Sequence, residues 1–337
     1  MTHVRCPEGS DDRHSTARRQ AGGSGAYCAA MSAATALLTH RPGRRLGVVW
    51  LALALLLGAC HGRWFSSVDA AGTRNRVRHF DHIEFDNRRA LSLDLYAPIN
   101  VHDAPVVVFF YGGSWLGGER GWFRFVGNAL AAHGVITVIP DYRKLPDVDL
   151  GGFMRDAARA IGWVRAHVAA YGGDPQRLFV MGHSSGGHIA ALLATDPRWL
   201  AAQGLTPRDL AGCIGLAGVY AFLPADAQDE EMLDVFGEAP DQWHQAAPVA
   251  FVDGREPPML LLSGDDDDEV DPENSRRLAA ALQAHGEAVT LHVYPRIGHS
   301  ALLLALAHPR APQAPVLRDI LAFIHTQPAA SNIAAPP

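Results

Sequence analysis

The stretch LFVMGHSSGGH, residues 178–188, sets two serines side by side among glycines. A serine hydroxyl reacts as a nucleophile only when a base takes its proton and a third group orients that base. Glycine two residues before and two after marks a serine at the tip of a sharp strand-to-helix turn, where flanking side chains would strike backbone. Ser184 has Gly182 and Gly186 at those positions; Ser185 has His183 before it and fails the test. The apolar LFVM on one side and HIAALLA on the other supply a strand and a helix. Ser184 is therefore the candidate nucleophile. The N–H of Ser185, at the start of the helix, is placed to meet a developing oxyanion.

Three further stretches carry the residue types such chemistry needs. YGGSW, residues 111–115, follows the apolar run PVVVFFY, and its glycines let backbone N–H groups turn toward a reacting carbonyl. DDDDEV, residues 265–270, follows MLLLSG and offers a carboxylate to hold a histidine's tautomer. Asp266, Asp267 and Asp268 all qualify. The run lacks the spaced ligands and the central glycine of a calcium loop. His299, in YPRIGHSALLL, follows the last expected strand by a short loop and precedes a helix, as suits a base reaching Ser184 across the carboxyl edge of a sheet. His188 lies on the same helix as Ser184 and His183 lies within the turn; both are expected to pack or bond locally.

These pieces need a scaffold with many strand ends at one edge. Residues 105–111, 135–140, 178–182, 213–218, 259–264 and 289–294 are short, nearly continuous apolar runs, as in strands covered on both faces. LSLDLYAP, 91–98, alternates as a half-exposed strand does. Between the runs lie helical patterns. Phe153, Ala157, Ile161, Val164 and Val168 form one apolar stripe, stopped by Gly172 and Gly173, with Asp174-Pro175 turning into the next strand. Strands alternating with helices imply an α/β domain with a mostly parallel sheet and helices on both faces. Residues 220–255 show no strand pattern and are expected to form a small lid containing Phe236 and Trp243.

From about residue 80 to 326 the chain resembles the α/β-hydrolase superfamily, and most closely its small carboxylesterases of the feruloyl-esterase-like and prenylcysteine-methylesterase-like type. DLYAP, VVVFFYGGSW, VIPDYR, GHSSGGH, GDDDDEV and IGHS carry the resemblance. It implies the α/β-hydrolase fold and a Ser184, Asp267, His299 triad, in that superfamily's chain order. The family's Gly-x-x-Asp-x-x-Val pattern falls on Gly264, Asp267 and Val270 and so selects Asp267. The resemblance also implies that Gly113 and Ser114 donate N–H groups to the oxyanion together with Ser185. Tyr111 stands where the family usually has histidine, a residue that orients the loop and does not donate. The implied activity is carboxylic ester hydrolysis through an acyl-enzyme, on a small-molecule ester, with no cofactor and no metal. Amide or formamide hydrolases, peptidases and catalytically inactive envelope scaffolds share the fold.

The 337 residues, 48 % of them hydrophobic, with a net charge of −6, suit one domain and exclude a basic nucleic-acid surface. Residues 1–60 read as leader and signal: a polar stretch, then Arg41, Arg44 and Arg45 before the apolar Leu46–Leu57. Met31 would give a signal of ordinary length. LGAC resembles a bacterial lipobox, which implies lipidation at Cys60, export, and a membrane anchor that does not span. Residues 61–74 would be a tether, 75–328 the hydrolase domain and 329–337 a disordered tail. Of the remaining cysteines, Cys6 and Cys28 precede the cleavage point and Cys213 reads as core. The mature domain is left without a disulfide and without zinc spacing.

Overall fold

Ala104–Phe110 carries only apolar side chains, and it forms a strand buried at every position. Alternate residues of a strand face opposite ways, so burial of all of them requires cover on both faces. The computed structural model describes residues 76–222, 230–237, 240–307 and 315–330. The chain divides into Met1–His61, which lies outside the described residues, and Gly62–Pro337. Arg41, Arg44, Arg45, the apolar run before Cys60, Cys60 itself, the 61–74 tether and residues 331–337 also lie outside them.

The strands are β1 (Val77–Asp86), β2 (Leu91–Pro98), β3 (Ala104–Phe110), β4 (Ile136–Pro140), β5 (Gly173–His183), β6 (Gly212–Leu216), β7 (Met259–Gly264) and β8 (Val289–Tyr294). They form one sheet in the order β1-β2-β4-β3-β5-β6-β7-β8. The pairs β1–β2 and β2–β4 are antiparallel. From β4 through β8 every pair is parallel. The sheet is mostly parallel, as expected. Parallel neighbours share a direction, so β5, β7 and β8 end at one edge, where their following loops meet.

The helices are α1 (Arg124–Ala131), α2 (Leu150–His167), α3 (Ser185–Thr195), α4 (Pro197–Ala201), α5 (Glu230–Phe236), α6 (Pro240–Ala246), α7 (Glu273–Ala284), α8 (His299–Leu304) and α9 (Val316–Thr326). Helix α2 realises the expected stripe: Phe153, Ala157, Ile161, Val164 and, just beyond, Val168 are all fully buried. Each large side chain among them contributes about 1.5–3 kcal/mol by leaving water. Asp149 caps the helix by accepting from the Gly152 N–H at 2.8 Å. Gly172, at φ 93°, ends the short 3₁₀ turn that follows.

Three local expectations are corrected, and one strand was missed. β2 is not half-exposed: Leu93, Leu95, Tyr96 and Ala97 are fully buried, and so nearly is Asp94. Its polar alternation reflects a buried ion pair, since Asp94 accepts from Arg120 Nε and from the His82 N–H, each at 2.9 Å. β8, expected to be buried on both faces, is an edge strand with Thr290 and His292 exposed. Asp174-Pro175 lies inside an irregular start of β5, where Gln176 N–H bonds Asp174 Oδ1 at 2.8 Å before regular pairing resumes at Leu178. β1 was not foreseen, because its exposed positions give it no apolar run.

Candidate active site

Ser184 sits between β5 and α3 with φ 56° and ψ −126°, a conformation that costs a non-glycine residue about 1–3 kcal/mol. Its N–H is held by the Leu216 carbonyl at 3.0 Å, and its own carbonyl accepts from His188 N–H at 3.1 Å. The flanking glycines are sterically required. A Cβ on Gly182 would lie 2.0 Å from the Gly186 carbonyl oxygen, and one on Gly186 would lie 2.0 Å from that of Phe110. Ser185 opens α3 and is buried.

The loop after β3 turns through three consecutive positive φ angles, 138° at Gly113, 56° at Ser114 and 59° at Trp115. It is tied down from several sides. The Gly113 carbonyl accepts from Leu116 and Gly117 at 3.0 and 2.8 Å, and the Trp115 carbonyl from Leu145 at 3.0 Å. Tyr142 donates its hydroxyl to the Tyr111 carbonyl at 2.7 Å. Tyr111 itself is stacked between Phe123 and Tyr142, with ring centroids 5.3 and 4.9 Å away. Its hydroxyl donates to Asp141 at 3.2 Å and accepts from Lys144 Nζ at 3.0 Å. Arg120 joins Asp141 to Asp94. Burial, aided by Tyr142 and Asp141, holds the Tyr111 hydroxyl well above its ordinary pKa, so it stays protonated. Burial likewise lowers Lys144. Tyr111 thus anchors the loop through Asp141 and Tyr142 of the VIPDYR stretch and through Phe123 and Lys144, which no motif singled out.

Asp267 follows β7 and its side chain is completely shielded. Oδ1 accepts from the N–H groups of Glu269 and Val270 at 3.1 and 2.9 Å. Oδ2 lies 2.9 Å from His299 Nδ1. Of the three aspartates, Asp267 is the one against His299, while Asp266 and Asp268 are exposed. His299 begins α8 and is buried. A carboxylate on Nδ1 fixes the proton there and leaves Nε2 as the basic nitrogen. Glu269 Oε2 stands 3.9 Å from that Nε2. Glu269 was not foreseen.

The start of α8 lies beside the turn that carries Ser184. His183, the residue before Ser184, donates from Nε2 to the His299 carbonyl at 3.2 Å, and the two rings are 4.5 Å apart. Burial first, and then the neighbouring His299, push His183 well below its ordinary pKa, so it stays neutral. His188 is turned away into the interior, where Trp115 Nε1 donates to its Nδ1 at 3.2 Å and its Nε2 donates to the Ala246 carbonyl at 2.9 Å. Burial pushes its pKa down to about 4. Both rings are packed in the interior, but their hydrogen bonds reach distant segments of the chain rather than the turn or helix that carries them. Cys213 is buried in β6, with its thiol pushed up to about 12 by desolvation. Among the described residues no group of three His, Cys, Asp or Glu side chains is placed to hold a metal ion. No helix among them is long and apolar enough to cross a membrane.

The fold is that of an α/β-hydrolase. Residues 93–282 match the BD-FAE family, and the chain belongs to it. It is 30 % identical over 256 residues to the isoprenylcysteine alpha-carbonyl methylesterase ICME of Arabidopsis thaliana, a match covering 70 % of this chain and 59 % of the relative. It is also 30 % identical over 235 residues to the esterase LipQ of Mycobacterium tuberculosis, covering 66 % and 56 %. Such matches span between 24 % and 59 % of the curated relatives' own length. Esterase B from Lactobacillus rhamnosis shares the fold with a TM-score of 0.67 at 21 % identity, covering 83 % of this chain and 93 % of that one. A Thermogutta terrifontis esterase does so with a TM-score of 0.60 at 24 % identity, covering 75 % and 95 %.

Proposed function

We propose that this chain hydrolyses small carboxylic esters through an acyl-enzyme on Ser184. The carrying observation is the 2.9 Å contact of Asp267 with His299, beside the glycine-flanked turn that presents Ser184. His299 Nε2 takes the hydroxyl proton as Ser184 Oγ bonds the ester carbonyl carbon. The N–H groups of Gly113, Ser114 and Ser185 receive the oxyanion. The tetrahedral intermediate collapses, the C–O bond breaks, and His299 returns the proton to the departing alcohol. Water, deprotonated by the same nitrogen, then releases the acid, and Asp267 stabilises the imidazolium formed in each half-reaction. Esterase names among the relatives support the ester reading.

The test is turnover by the purified chain from residue 61 on matched ester and amide substrates. The reading expects the ester to be cleaved, and expects the Ser184→Ala variant to lose about 10⁶ of that kcat. Preferential cleavage of the amide would transfer the site to amide hydrolysis, and no turnover of either would leave a scaffold. Cys60 is the second part of the proposal: the LGAC motif after an apolar run supports lipidation there, tethering the domain to a membrane at the cell envelope.

A further inference from the structure

Both ring nitrogens of His188 are engaged, and the two bonds lead in different directions. Nδ1 accepts from the indole N–H of Trp115, the residue after Ser114 on the oxyanion loop. Nε2 donates to the carbonyl of Ala246, the last residue of α6. The ring is fully buried on α3, one helical turn beyond Ser184; burial keeps it neutral, and its two partners fix the tautomer with the proton on Nε2. Trp115 and His188 both meet the ring of Phe236 on α5, at 4.9 and 5.3 Å between centroids. Phe236 meets Phe222 at 4.6 Å, and Phe222 meets Trp243 of α6 at 5.6 Å. Phe222, Trp243, Ala247 and Val249 line a cleft of about 420 Å³. An aromatic path thus runs from the oxyanion loop to an apolar cleft, with one imidazole bonded to both ends.

We infer that His188 is a positioning residue that joins the oxyanion loop to the wall of an apolar substrate cleft between Phe222 and Trp243, which takes the hydrocarbon portion of the ester. The inference rests on the ester reading of Ser184. Its physical basis is the division of labour between the two nitrogens. The bond to Trp115 fixes the segment carrying the Gly113 and Ser114 N–H groups, which act on the transition state and so on kcat. The bond to Ala246 fixes α6, which acts on binding of the apolar group and so on KM. No other side chain in this position supplies both an acceptor and a donor on one rigid ring.

Asparagine and glutamine separate the two bonds. The Oδ1 of His188→Asn takes the place of Nδ1 and keeps an acceptor for Trp115. The Nε2 of His188→Gln takes the place of the imidazole Nε2 and keeps a donor for Ala246. Trp115→Phe removes the indole donor while keeping an aromatic ring. Steady-state kinetics on 4-nitrophenyl acetate and 4-nitrophenyl hexanoate reads the outcome. The expected result is a kcat loss of about tenfold on both esters for His188→Gln and Trp115→Phe, the equivalent of one buried hydrogen bond, with KM little changed. His188→Asn is expected to raise KM for the hexanoate several-fold more than for the acetate. Identical effects of the Asn and Gln variants on both parameters, or wild-type kcat in Trp115→Phe, would overturn the inference. If circular dichroism shows both His188 variants unfolded, Trp115→Phe decides alone. A wild-type chain that cleaves neither ester refutes the ester reading as well, whereas wild-type turnover with uniform variants refutes only the role of His188.

Discussion

His299 Nδ1 lies 2.9 Å from Asp267 Oδ2, and Asp267 spends its other oxygen on two backbone N–H groups of its own loop. The carboxylate is therefore held before the histidine meets it. A shielded carboxylate in that position selects one imidazole tautomer and stabilises the imidazolium that catalysis requires. Asp267→Asn keeps the shape and removes the charge. The expected result is a kcat about 10³–10⁴ lower, by analogy with other triads, and an unchanged KM. Asp266→Asn and Asp268→Asn, on exposed carboxylates of the same run, are expected to stay within threefold or so of wild type, the scale of weak surface effects.

The Ser184 turn gives a steric prediction. Gly186→Ala would drive a Cβ to 2.0 Å from the Phe110 carbonyl oxygen, and backbone at the end of β3 cannot step aside. Thermal melting should show a destabilisation of about 3 kcal/mol or more, or no soluble protein. Gly121→Ala, which meets nothing within 4 Å, is the control and should leave the Tm unchanged or slightly raised.

Acid stability follows from the buried histidines. His188 is held at about 4 by burial, and burial pushes His183 in the same direction; an unfolded chain titrates histidine near 6.5. Between those values the unfolded state binds protons that the folded state refuses, so stability rises with pH. The contribution is complete above pH 6.5 or so and is lost as pH falls toward 4, with a size of about 3 kcal/mol for His188. Denaturant melts from pH 7.5 to 4.5 should show this slope, and His188→Asn should flatten it. A slope that survives unchanged in the variant would assign acid sensitivity to other groups.

The fold was readable because buried parallel strands are uninterrupted apolar runs, and α2 carries its stripe without a break. What escaped was set by neighbours in space. Asp94 looks like an outward-facing polar residue until Arg120, 26 residues on, is seen to pair with it. Thr290 and His292 mark β8 as an edge only because nothing pairs beyond it among the described residues. At the site, the sharp turn at Ser184 was legible from its glycines. The network of Tyr111, Asp141 and Lys144 was not, since three residues with no shared motif meet there through tertiary packing. His188 was legible as a local packing residue, but not as the link between Trp115 and Ala246.

Cys60 carries the prediction about location. Lipidation there should place the full-length chain in the membrane fraction, with its mature mass raised by acyl chains. Cys60→Ser should release it to the soluble fraction. A variant that stays membrane-bound would contradict the anchor.

The central claim is that one of two adjacent serines is the nucleophile, and covalent labelling tests it most directly. The wild-type chain, Ser184→Ala and Ser185→Ala would each be treated with a fluorophosphonate and examined by intact mass and peptide mapping. The account predicts one adduct on Ser184 in the wild type, none in Ser184→Ala, and a retained adduct in Ser185→Ala. An adduct on Ser185, or no adduct on a folded wild-type chain, would contradict it.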